Sequence, residues 1–81
     1  MSALEMFIKG VEENKGIIRQ RRLINLRIYI KESTDAELIR VIRRMTNKVH
    51  LKILWEAGLR QPLQKAVGTR YHELTTRRST R

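Results

Sequence analysis

Between Lys15 and Lys31 the chain carries six cations, Lys15, Arg19, Arg21, Arg22, Arg27 and Lys31, and no acid at all. Inside that run lies Ile24-Asn25-Leu26-Arg27-Ile28-Tyr29-Ile30, in which Ile and Leu alternate with Asn, Arg and Tyr. Strict alternation is the period of a half-buried β-strand, and Ile and Tyr are good strand formers. A single strand leaves its backbone N–H and C=O groups unpaired, and even a two-stranded hairpin is marginal in water. The local candidate partner is Gly16-Ile17-Ile18-Arg19, but the intervening Gln20-Arg21-Arg22 holds no Gly, Asn or Asp to make a hairpin turn. The simplest solution is antiparallel pairing with the same strand of a second molecule about a two-fold axis. On such a ribbon Ile24, Leu26, Ile28 and Ile30 pack down on helices, and Asn25, Arg27 and Tyr29 stand together on the other face.

The rest of the chain reads as helix. Leu4, Phe7, Ile8 and Val11 form one apolar stripe after Ser2, an N-cap residue type, and Gly16 follows as a stop. Thr34 and Glu37 have capping-box spacing, so a helix is predicted from Asp35, with Leu38, Val41, Ile42 and Met45 inward and Arg40, Arg43 and Arg44 pointing elsewhere. Asn47 marks a break, and a further helix is predicted over about 49–59 with Leu51, Leu54 and Trp55 inward. Pro62 suits the first turn of another helix, in which Leu63, Ala66, Val67, Tyr71 and Leu74 continue a stripe. After Leu74 the sequence predicts a basic disordered tail. The resulting organisation is a helical extension over 1–15, a core over 22–60, a second helical extension over 61–74 and a tail over 75–81.

Charge narrows the partner. Eighteen Lys and Arg, twelve of them Arg, oppose eight Asp and Glu over 81 residues, a net +10. A folded basic module of this size points to a polyanionic partner, nucleic acid above all. Cysteine is absent, which excludes disulfides and Cys-based zinc sites. No apolar run is long enough to span a membrane, and the N-terminus lacks a signal-peptide pattern. The expectation is an intracellular protein of the cytoplasm or nucleoid, or of a host cell if the gene is viral or plasmid-borne. A small domain buries only about 60 to 65% of its unfolded surface, which favours self-association.

In the ribbon arrangement, Asn25, Arg27 and Tyr29 face a DNA major groove, which admits a two-stranded ribbon; Arg can read guanine and Asn adenine. Arg21, Arg22 and Lys31, at the ribbon ends, are expected on phosphates, as are Arg77 and Arg78 in the tail. The residues Leu26-Arg27-Ile28-Tyr29-Ile30-Lys31-Glu32-Ser33, followed by a helix with Leu38 and Val41, a short break and another helix, resemble the ribbon-helix-helix regulators of the MetJ, Arc and CopG type. The resemblance covers roughly 22–59. It implies base contacts from Asn25, Arg27 and Tyr29, and a phosphate clamp from Asn47, Lys48 and Val49 at the N-terminus of the second helix.

The sequence-level expectation is therefore a mainly α fold with one β-strand: a ribbon-helix-helix homodimer binding double-stranded DNA in a sequence-specific way, as a transcriptional regulator. The alternative is an all-helical dimeric RNA-binding protein, for example a viral duplex-RNA binder, reading shape and phosphate. A helix-turn-helix over 54–67 and a basic peripheral membrane protein rank lower. No Ser-His-Asp set, phosphate-binding Gly loop or paired catalytic carboxylates occur, so an enzyme is not expected. His50 and His72 have no Cys or acidic cluster beside them, so neither metal nor cofactor is expected.

Overall fold

Three of the helices, at Ser2, Thr34 and Asn47, begin where the sequence supplies a side-chain cap. The computed structural model describes residues 2–79, with side chains described to residue 76. Its elements are α1 (Ala3–Glu12), α2 (Gly16–Glu32), α3 (Asp35–Arg44), α4 (Lys48–Ala57) and α5 (Gln61–Ser79). Ser2 Oγ accepts from the Glu5 N–H at 3.2 Å, and Thr34 Oγ1 accepts from the Glu37 N–H at 3.2 Å while donating to Glu37 Oε1. Asn47 Oδ1 accepts from the Val49 and His50 N–H groups. These caps satisfy helix-end donors that would otherwise be orphaned. Gly16 and Gly58 have φ of 62° and 91°, a region L-residues avoid, and they turn the chain into α2 and out of α4.

The ribbon-helix-helix expectation is overturned: the described residues are helical throughout, with no strand, and residues 24–30 lie inside the seventeen-residue α2. The alternation is real, but the same stretch carries a second period. Leu23, Leu26 and Ile30 recur at i, i+3 and i+7 and are the residues α2 buries. A helix pairs its backbone groups within the segment, whereas a strand here needs a second chain. Between Gly16 and Ser33 there is no Gly or Pro to interrupt it. The expected domain boundary at 22 therefore falls within α2, and α5 continues to Ser79 where a tail was expected from 75.

Among the described residues, fifteen apolar side chains form the core, from Leu4, Ile8 and Val11 of α1 to Leu63 and Val67 of α5. Helix α4 packs against α1, α2 and α5, while α1 pairs with α2 and α3 with α5. Arginines tie these layers together at helix C-termini. Arg27 Nε donates to Ala57 O at 2.8 Å, closing the end of α4, and Arg70 Nε donates to Met45 O at 2.7 Å after α3. Arg60 donates to Ile30 O, Ser33 O and Asp35 Oδ1, joining the α4–α5 connection to the α2–α3 turn. Carbonyls at a helix C-terminus carry partial negative charge, so a guanidinium there is both a donor and a compensating charge. Among the described residues, no helix is long and apolar enough to cross a membrane.

Candidate nucleic-acid interface

The residues expected to read bases do not form a face. A helix turns about 100° per residue, so Arg27 points about 200° away from Asn25. The Arg27 guanidinium is engaged with the end of α4. Tyr29 is half-buried and stacks on Phe7, ring centroids 4.9 Å apart. Asn25 is exposed beside Ile28 and Glu32. With the strand goes the ribbon that was to carry these three into a groove.

Of the expected phosphate contacts, Arg21, Arg22 and Lys31 are exposed on α2, Arg22 laying its aliphatic stem against Gly10. Asn47 caps α4 with its own side chain, occupying two of the amides that a phosphate clamp would use. Lys48 sits over the Tyr71 ring at 5.9 Å. The side chains of Arg77 and Arg78 lie outside the described residues.

A different cationic surface forms between α3 and α5. On α3, Ala36, Arg40, Arg43 and Arg44 follow the spacing of one helical stripe, opposite the buried Leu38 and Ile42. Beside them α5 brings Lys65, Thr69 and Arg70, so that Arg43, Lys65 and Arg70 line a polar cleft of about 510 Å³ with Ile39, Ala66 and Glu73. Arg70 is held by Met45 O and by Glu73 at 3.2 Å. By contrast Arg40, Arg43, Arg44 and Lys65 are exposed, and no described acid pairs with them. The acids of α3, Asp35 and Glu37, sit in its first turn, where they suit the helix dipole, and the arginines sit toward its last turn for the same reason.

Elsewhere one ion pair is bidentate: Arg19 donates to both Glu56 oxygens at 2.9 Å, linking α2 to α4. That hydrogen bonding holds the Glu56 carboxyl below its ordinary value. His50 is buried, its Nε2 2.9 Å from Glu12 Oε1. No group of three or more His, Cys, Asp or Glu that could hold a metal exists among the described residues.

Part of the cleft was legible in the sequence, in the three arginines opposite the apolar stripe of α3. The approach of Lys65 was not, because nothing local says which side of α5 faces α3. Trp55 was expected inward with Leu51 and Leu54, yet it is 55% exposed. No family model, curated protein or solved structure matches the chain.

Proposed function

We propose that the protein binds nucleic acid through phosphate contacts from the α3–α5 surface, with Arg40, Arg43, Arg44 and Lys65 as the principal contacts. The observation that carries this reading is the division of labour among the cations. Arg19, Arg27, Arg60 and Arg70 are engaged with carboxylates or helix-end carbonyls, whereas Arg43 and Lys65 line one cleft, Arg40 and Arg44 flank Arg43 on α3, and Glu73, which also lines the cleft, is taken up by Arg70. Phosphate contacts position a protein on nucleic acid without reading sequence. Helical surfaces of this kind follow backbone shape, the mode described above for an RNA binder.

Four phosphates neutralised would make log K fall with log[salt] at a slope of about −3 to −4. Anisotropy of labelled RNA and DNA across a salt series tests this. The combined Arg43→Ala, Lys65→Ala variant should weaken binding to all sequences alike and reduce the slope by about 2. Affinity that does not change with salt, or binding unaffected by that variant, overturns the reading.

Self-association belongs to the same proposal, moved from the ribbon to the outer faces of α1 and α2. Ile17, Ile24 and Ile28 lie along the solvent side of α2, and Met6 and Phe7 are exposed on α1. Apolar residues on both sides of a helix favour a second packing partner. A second copy with its α2 antiparallel about Ile24 brings Glu32 toward the partner helix's N-terminal end, where the sequence has Lys15 and the helix dipole is positive. The residues such a dimer uses lie on α1 and α2, so those of the α3–α5 surface, Arg40, Arg43, Arg44 and Lys65, take no part in it.

A further inference from the structure

Trp55 is the only tryptophan in the chain, and α4 leaves it more than half exposed while burying Ile53, Leu54 and Ala57 around it. It forms one wall of an open groove of about 520 Å³ between α4 and α5, with Leu51 and Val67 on the floor and Tyr71 on the far side. Lys52 and His72 stand at the rim, both exposed, and Lys48 lies over the Tyr71 ring. The rim carboxylate, Glu56, is held by Arg19.

Gly68 also lines this groove. It lies in the middle of α5, where glycine costs about 1 kcal/mol relative to alanine. Packing does not require it, because a Cβ built there meets no atom within 4 Å. With glycine at this point no side chain from position 68 enters the groove.

An apolar floor, an exposed indole, a tyrosine ring and a cationic rim together suit a flat ring attached to an anionic chain. We propose that the α4–α5 groove is a slot for an unpaired nucleobase, stacked on Trp55, with Lys52 directed at the adjoining phosphate. This rests on the phosphate-binding reading above and deepens it. The preferred ligand becomes a single strand, or a duplex bearing unpaired bases, rather than a continuous duplex. The charge of the rim favours this occupant over an apolar peptide. The α3–α5 surface and the groove flank the same helix, so one strand passing over α5 reaches both.

Because Trp55 is unique, its emission reports on the groove alone. The wild-type chain and Gly68→Leu are titrated with labelled oligo(A) as RNA and as DNA, with a blunt duplex, and with an abasic deoxyribose-phosphate oligomer of equal length. Single-stranded oligo(A) should quench at least half of the Trp55 emission, with the midpoint seen by anisotropy. The abasic oligomer should raise anisotropy without quenching and bind about tenfold more weakly, the stacking of one base being lost. Gly68→Leu keeps the helix, since leucine is the better helix former, and should abolish quenching and raise the Kd for oligo(A) about tenfold while leaving the abasic Kd unchanged. The RNA and DNA arms separate a slot for the base alone, in which they agree, from one that also contacts the 2′-hydroxyl. Equal Kd values for oligo(A) and the abasic oligomer, unaffected by Gly68→Leu, overturn the slot and leave the phosphate surface standing. So does Trp55 emission that shifts with protein concentration alone, which would place a second copy over the groove. Failure of the abasic oligomer to bind at all overturns the phosphate surface itself.

Discussion

Arg60 shows how a cation in a basic protein serves the fold rather than a ligand. Its guanidinium reaches Asp35 Oδ1 at 2.8 Å, Ser33 O at 3.0 Å and Ile30 O at 3.2 Å. Arg60→Ala leaves the last carbonyls of α2 and the N-terminal carboxylate of α3 to solvent, and should cost about 2 kcal/mol in urea unfolding. Arg60→Lys should recover only part of that, because an ammonium lacks the fork that spans three acceptors. The Arg19–Glu56 pair sets a pH dependence of definite sign. Glu56 has a lowered folded-state value, so its contribution is present above its unfolded value and is lost as pH falls through the folded one. Melting temperature should therefore decline on acidification below the ordinary glutamate range. Glu56→Gln should flatten part of that decline, a small part because the pair is exposed.

At the scale of elements, α2 discriminates between the two periods in its own sequence. In a ribbon Leu26 and Ile28 would share the buried face and cost alike when truncated. In the helix Leu26 is fully buried and Ile28 is 50% exposed. Leu26→Ala should cost about 3 kcal/mol and Ile28→Ala under about 1 kcal/mol, measured by denaturation of dilute protein. Equal losses would restore the strand. The ends of α1, α3 and α4 were legible because Ser2, Thr34 with Glu37, and Asn47 act on amides within three residues of themselves. The state of residues 24–30 was not, because Ile24, Leu26, Ile28 and Ile30 satisfy a strand period while Leu23, Leu26 and Ile30 satisfy a helical one. Trp55 was missed for a related reason: it follows Leu54 on the helix, and a position beside an apolar stripe is buried only if a neighbouring element covers it. Here α5 passes on the other side of the groove.

The whole molecule is a set of layers with different surfaces. The α1–α2 side exposes the apolar Met6, Ile17, Ile24 and Ile28 among cations such as Arg21, Arg22 and Lys31, and the α3–α5 side exposes Arg40, Arg43, Arg44 and Lys65. Sedimentation at graded concentrations should show a dimer that Ile24→Glu dissociates, since the two-fold axis brings that position against its own copy and like charges would meet. The α3–α5 double variant should leave this dimer intact. A wild-type chain that stays monomeric at high concentration sinks the self-association proposal and leaves the phosphate surface untouched. If the dimer forms, two cationic surfaces are displayed on one particle, and a nucleic acid long enough to span both gains avidity without any new contact. The sequence by itself determined the net charge, the starts of α1, α3 and α4 and the apolar stripes of α1 and α3, because caps and periods act over one or two turns of chain. Only the tertiary structure decided that residues 24–30 are helical, which cations are engaged with helix ends, and that Trp55 and Gly68 border an open groove. Those outcomes depend on which faces the packed neighbours cover, and no local pattern carries that information.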